Sequence, residues 1–422
     1  MKLKTIRFYK GIILIIKTVK HVFTDVFQNK KKTIRVYCTS FALLLLFLPF
    51  NNCSPGHISS AKASLNNSPT DSGSLGSVPT NLPIIPPVSA GKVDVFMAFG
   101  KMGRTIMSCD DGVTWINDRS DDDAARCWTP GPTNVDCDHN QYSSTGLDSG
   151  ADGWFYTQYG WGSAGTVRRS RNGVNWEVVR SGDWGGGLAV ANNHVVQIWE
   201  SGWSVSTDNG TNWNLIPGSQ WSGPLVFDHT FIKRAGQKLF ARGRGNGQLA
   251  VSTDAGATWK VSAGFDSSWG GSFAEGNGII VSNGVKEVSG QNPVSYSARS
   301  TDNGLTWTAV TVIPAGRWSS NIIFNGTHFM NWSTGTMYKS TDGIIWTSQP
   351  YSPYFEGTVS YNPRTKTYMA VHFNWGSWYD KQYALRSKDG INWTVLDQTH
   401  FHGGHPITGI ITGEMDASAC GK

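Results

Sequence analysis

A short turn motif recurs seven times and constrains this chain more than any other feature. Four copies read Ser-x-Asp-x-Gly-x-x-Trp: Ser108 to Trp115, Ser206 to Trp213, Ser252 to Trp259 and Ser300 to Trp307. Three are one residue shorter and carry Asp or Asn before the glycine: Ser170 to Trp176, Ser340 to Trp346 and Ser387 to Trp393. Successive tryptophans stand 61, 37, 46, 48, 39 and 47 residues apart. A period of that size marks stacked supersecondary units.

Each copy reads as a hairpin turn. An Asx side chain bonds the backbone just ahead of it, and glycine supplies the positive φ that a tight turn needs. The tryptophan then opens the returning strand and covers the turn. These residues resemble the Asp box, or BNR repeat, of the sialidase-like β-propellers, and the resemblance runs from Gly91 to the C-terminus. It implies that Asp110, Asn172, Asp208, Asp254, Asp302, Asp342 and Asp389 hold turns together. Such a likeness implies fold more firmly than function.

Strand parsing agrees. The runs Leu225–Ile232, Gln237–Arg242, Leu249–Ser252 and Thr258–Ser262 predict four strands around one copy of the motif, and blades two to seven follow that scheme. Blade one lacks a first strand before Val93–Phe99, while Ile407–Ile411 stands alone near the C-terminus. Placed innermost in blade one, that run closes the ring with a strand from each chain end and leaves no open edge. The expected fold is all-β, a seven-bladed β-propeller with four-stranded antiparallel blades. The 49 glycines and 19 tryptophans suit short strands and tight turns rather than helices.

Residues 1–53 read as a leader. Lys30, Lys31, Lys32 and Arg35 precede the apolar run Phe41–Phe50, and Cys53 follows. A basic region before about ten apolar residues is signal-peptide grammar, too short to span a membrane. The cysteine at its end resembles a bacterial lipoprotein site, which implies lipidation of Cys53; an ordinary signal peptide cut nearby is the alternative. A second apolar patch, Ile12–Ile16, makes the leader unusually long, as a start site placed too far upstream would. Residues 54–90 are rich in Ser, Pro, Asn and Gly, cannot bury enough apolar surface to fold, and are expected to form a disordered tether. The propeller takes 91–422.

Charge narrows the partners. Ten of the 36 basic residues but one of the 30 acidic ones precede Cys53, so 26 and 29 remain and the rest carries a formal −3. That balance leaves no basic footprint for nucleic acid. The expectation is an exported monomer, on the outer membrane or cell surface and touching the membrane only through its lipid, or periplasmic or secreted if not lipidated.

Cys38 and Cys53 belong to the leader, which leaves Cys109, Cys127, Cys137 and Cys420. An even number in an exported domain predicts two disulfides in one of three connectivities. Cys127 and Cys137 flank one loop, which favours their pairing; Cys109 and Cys420 would then fasten blade one to the tail. No His or Cys stands at ligand spacing around them, so no metal site is expected. Asp121, Asp122, Asp123, Asp136 and Asp138 cluster nearby and offer oxygen ligands of the kind Ca²⁺ takes, but their spacing fits no EF-hand loop. A solvated acidic loop is the plain reading, and no cofactor is expected.

Two sets of aromatics crowd the face opposite the turns. Tyr142, Trp184, Trp221, Trp269, Trp318, Phe355 and Phe401 each precede small residues just before a first strand. They either pack between blades, so that small residues line the axis, or ring the channel mouth as a stacking platform. Connections between second and third strands add Tyr159, Trp161, Trp199, Arg242, Arg244 and Trp332, then Trp375, Trp378 and Tyr379. Exposed aromatics beside charges suit binding of a glycan or of an envelope or extracellular protein; covering loop backbone is the other reading.

Sialidase resemblance would imply an Arg-Ile-Pro segment before the first motif copy, a three-arginine clamp, a Tyr/Glu pair and an acid Asp. Val93 to Met107 contains no Arg-Ile-Pro, and Gly100 to Thr105 offers no Asp. Arg104, Arg242, Arg244 and Arg317 are present, but no motif assigns them. A glycosidase also needs two carboxylates about 5 to 9.5 Å apart. Asp183, Glu200, Glu356 and Asp380 fall on the candidate face, the last three being the catalytic candidates. Three readings follow: a non-catalytic binding or scaffold module, a glycoside hydrolase with an atypical site, and an envelope assembly factor.

Overall fold

The computed structural model describes residues 87–100, 103–119, 144–150, 152–159, 166–181, 187–199, 202–217, 227–243, 248–266, 271–286, 294–310, 322–333, 335–355, 357–372, 383–396 and 407–422. They form seven four-stranded antiparallel sheets, each a blade. Blade one runs from Ile407–Asp416 innermost through Lys92–Gly100 and Thr105–Ser108 to Ile116–Arg119. Blades two to seven begin at Ser144–Ser149, Gly187–Ala191, Phe227–Ala235, Ser272–Gly276, Ile323–Phe324 and Val359–Asn362. These first strands touch one another in sequence around the axis, and the last touches Ile407–Asp416. The chain is a closed seven-bladed β-propeller.

Burial grades outward from the axis. A blade's inner strands are covered on both faces by its neighbours, so they can read as unbroken apolar runs, such as Gly187–Ala191. Their side chains alternate between the two adjoining cores. Val196 and Ile198 pack toward blade four, whereas Val195 packs toward blade two. Outermost strands are two to four residues long and expose Val178, Leu215, Val261 and Val395. Short edges give a second chain little to pair with.

The repeat turns show why the motif needs its residues. In blade five, Ser300 Oγ donates to Asp302 Oδ1 at 2.7 Å and accepts from the Gly304 N–H at 2.9 Å. Asp302 Oδ1 accepts the Thr306 N–H and Oδ2 accepts the Thr306 hydroxyl, at 2.9 and 2.6 Å. Trp307 Nε1 returns a hydrogen bond to the Gly304 carbonyl at 2.9 Å. Asn303 and Gly304 both have positive φ, 63° and 86°. A Cβ on Gly304 would also sit 2.6 Å from Phe240 of blade four, so this glycine answers to packing as well as to the backbone. In the shorter copies one Asp or Asn side-chain oxygen accepts two successive backbone N–H groups, as Asp342 does from Ile344 and Ile345.

Blade four keeps its expected four strands with shifted bounds: Phe227–Ala235, Lys238–Gly243, Leu249–Ser252 and Lys260–Val261. Its first strand breaks register between Phe227 and Ile232 and runs on to Ala235, past the apolar stretch that marked it in the sequence.

Closure is more extensive than the apolar run Ile407–Ile411 implied. The last strand is ten residues long and pairs with Lys92–Gly100 from Lys92↔Asp416 to Gly100↔Ile407. Its second half has Met415 as its one large apolar side chain, so apolar patterning could not mark it. Charges hold it instead: Arg364 of blade seven bonds both Asp94 and Glu414, and Lys92 bonds Asp416. The Cys109–Cys420 disulfide is present, with Cα atoms 5.8 Å apart across 311 residues of sequence. Cys127 and Cys137 lie outside the described residues, as do the leader with Cys53, nearly all of the tether, and the acidic cluster 121–138.

A carboxylate finishes the seam. Asp111, in the repeat turn of blade one, accepts hydrogen bonds from Thr365, Thr367, Arg386 and Lys388 of blade seven. Burial disfavours its charge, but those donors outweigh it and hold the carboxyl below the usual range.

Candidate functional site

Antiparallel order puts the repeat turns and the first-to-second hairpins on one face. Connections from second to third strands, and from blade to blade, open on the other. On that second face, blade seven brings three rings together. His372 ends the second strand, Tyr383 starts the third, and the two are register partners. Their rings stack at 4.6 Å and 21°. Tyr354 stands edge-on to His372 at 6.4 Å and is 39% exposed, and Tyr383 Oη donates to the Tyr354 carbonyl at 3.5 Å.

Beneath them Phe355 is 3% exposed, with its ring 4.8 Å from Trp393 and 5.1 Å from Tyr351. Phe355 is the one blade-leading aromatic among the described residues, and it packs as core. Tyr354, one residue earlier, supplies the open surface. Partial burial raises the Tyr383 pKa, so its hydroxyl remains a donor across the neutral range. Residues 373–382, bounded by His372 and Tyr383, carry Trp375, Trp378, Tyr379 and Asp380 and lie outside the described residues. Sequence reading passed over His372, Tyr383 and Tyr354. The available signal was an aromatic side chain bounding that segment at each end.

Arg242 ends near the same face. Its guanidinium sits 4.6 Å from the Phe231 ring centre, a cation–π arrangement. The Gly243 N–H bonds the Gln248 carbonyl at 2.7 Å, closing the hairpin that carries Arg244, itself outside the described residues. Trp199 closes its strand opposite Gly202. Trp161, Asp183, Glu200, Arg317 and Glu356 also fall outside the described residues.

Two residues considered at the rim turn out to be structural. Trp332 is buried in the strand Phe329–Ser333, and its Nε1 donates to the Gly390 carbonyl of the next blade at 2.6 Å. Arg104 is buried and forms a two-pronged pair with Asp118 at 2.9 and 2.7 Å, which commits it to blade one rather than to a ligand clamp.

Near the axis, one carboxylate ties three blades. Asp148 of blade two accepts from Arg234 of blade four at 2.6 Å and from the Val190 N–H of blade three at 2.8 Å. Neighbouring Lys233 is exposed to solvent while protein crowds around it. That enclosure lowers its pKa, and Asp148 partly offsets the effect. Asp148, Glu414 and Asp94 each face a cation here, so none stands as one of a free carboxylate pair. Among the described residues no group of three or more His, Cys, Asp or Glu is placed to hold a metal ion.

No protein-family model matches the chain, and no curated protein matches its sequence. Among solved structures it is similar to a GH74 xyloglucanase from Xanthomonas campestris, at 15% identity and a TM-score of 0.46. That match covers 70% of this chain and 53% of the other, so this chain spans about half the length of the xyloglucanase. YCF48 from Cyanidioschyzon merolae matches at 14% identity and 0.43, covering 72% and 92% of the two chains. A nidogen/laminin complex matches at 11% and 0.42, covering 76% and 98%. Likenesses this distant carry no function across.

Proposed function

We propose that this chain is an exported, lipid-anchored propeller of the sialidase-like, Asp-box kind, and that it binds a glycan or an envelope or extracellular protein without catalysis. The observation that carries this reading is the partly exposed stack of Tyr354, His372 and Tyr383 on blade seven. Rings held by register and packing lose little freedom when a ligand covers them, which favours binding energy at low entropic cost. The same stack brackets the segment with Trp375, Trp378 and Tyr379. Further support comes from the inner-strand carboxylates, which cations engage and which are therefore poor general acids or nucleophiles.

A screen of sialyl and other glycosides tests the non-catalytic part. The expected outcome is no turnover by the wild type. Turnover abolished by Glu200→Gln, Glu356→Gln or Asp380→Asn would overturn that part and establish a glycoside hydrolase with an atypical site.

A further inference from the structure

The seven junctions between blades repeat one another, so each serves as a control for the rest. At the junction of blades two and three, the residue before the turn serine is Arg169. Its guanidinium lies 4.3 Å from the Trp154 ring centre and pairs with Glu177. It also donates to the Asn209 carbonyl in the next blade's turn and lies 3.4 Å from Thr211 Oγ1. Arg299 and Arg386 hold the same position in blades five and seven, and each donates through Nε to the equivalent carbonyl ahead, of Asp342 at 2.8 Å and Asp111 at 2.7 Å.

At the junction of blades three and four that position is Val205. Register fixes the other equivalents: Phe155 pairs with Ser170 as Val195 pairs with Ser206, so His194 stands where Trp154 stands. Asn214 follows Trp213 as Glu177 follows Trp176, and Ala257 follows Gly256 as Thr211 follows Gly210. Val205, His194, Asn214 and Ala257 all line an open bay of about 540 Å³. It matches the arginine site of blade two with Val205 in place of the arginine; Met107 and Val251 stand at this position in blades one and four, and Lys339 in blade six.

What remains on the wall is a set of polar groups beside Trp213, whose ring carries Arg180 at 5.2 Å. His194 Nδ1 is buried and has no hydrogen-bond partner, and in the tautomer protonated on Nε2 it accepts. Asn212, also on the wall, gives its Nδ2 to Asp208, which leaves its amide oxygen to accept. Asp208 beside it is a carboxylate, and Ile216 offers an apolar wall.

We propose that this bay binds an arginine side chain presented by a partner polypeptide. A guanidinium is planar, carries five donors and accepts a flat ring beside it, which matches His194 Nδ1 and the Asn212 and Asn214 amide oxygens. Its methylene stem lies along Val205 and Ile216. A lysine ammonium is compact and cannot span acceptors set around a plane. Residues 54–90 contain no arginine, so the N-terminal approach to the propeller cannot supply the ligand. The bay belongs to the turn face, opposite the aromatic stack, and stands whether or not that stack binds anything.

The test is calorimetric titration of the full-length protein with an acetylated, amidated Gly-Arg-Gly peptide and with its citrulline and lysine counterparts. Citrulline keeps the shape and removes the charge. The arginine peptide is expected to bind about tenfold more tightly than either, as a charge-assisted contact requires. Asn214→Glu rebuilds the partner that Glu177 gives Arg169 and should tighten binding several-fold. Val205→Arg fills the bay from within and should abolish binding while leaving the melting temperature unchanged or higher. Equal binding of arginine and citrulline peptides, no saturable binding, or undiminished binding by Val205→Arg overturns the proposal. Should Val205→Arg fail to fold, Asn214→Glu at its exposed position still decides, since an unchanged affinity there contradicts it.

Discussion

At the scale of residues, the repeat turns explain both packing and acid response. Trp307 covers its own turn and is 6% exposed among Phe240, Phe265 and Phe273, with ring centres 5.2 to 6.0 Å away. Trp307→Ala should therefore cost about 3 to 5 kcal/mol, the range for deleting a buried aromatic, and chemical denaturation would measure it. The turn carboxylates predict a pH dependence. Backbone N–H and side-chain donation from Asn212 holds Asp208 down at about 2. Asp389 also falls to about 2, because the Asn392 and Ile391 N–H groups outweigh its partial burial. Asp302 and Asp342 are lowered too. Folded carboxylates with depressed pKa bind fewer protons than unfolded ones, so this stabilisation is present above about pH 4 and is lost as pH falls toward 2. Melting should be level from pH 7 to 5 and drop steeply below 4, and Asp302→Asn should flatten the drop. A melting temperature that holds between pH 4 and 2.5 would contradict the account.

At the scale of elements, ring closure is the sensitive point. A strand from the far end of the chain, a disulfide and the Asp111 cluster all serve one seam. Asp111→Ala leaves Arg386 and Lys388 half-buried without their shared acceptor and should cost about 2 kcal/mol. Removing residues 407–422 should cost far more, because blade one would lose its innermost strand and leave Lys92–Gly100 as an open edge. Unchanged melting of the truncated protein would contradict the strand exchange. The closing strand was legible only in its apolar half. Ile407 to Ile411 announced a strand, whereas Thr412 to Asp416 has one buried apolar residue, Met415, and otherwise pairs through backbone and charge, which leave no period in a sequence. Blade four shows the same limit, where Phe227–Ala235 outruns its apolar core.

At the scale of the whole molecule, the fold was easier to read than the site. Seven turns demand the same few residue types at fixed spacing, so they advertise themselves. A binding face is assembled from different blades and needs no spacing at all. His372 and Tyr383 lie eleven residues apart and meet only because the strands pair there. Trp332 looked like a rim residue because tryptophan at a strand end reads the same whether it faces solvent or the next blade. The central claim is that the aromatic face of blade seven binds. The most direct measurement is a glycan and protein-ligand array probed with wild type and with the double variant Trp375→Ala, Trp378→Ala. Saturable binding by the wild type, lost by the variant at unchanged melting temperature, is the predicted result, with the affinity change worth about 2 kcal/mol or more. Equal binding by both proteins would contradict it.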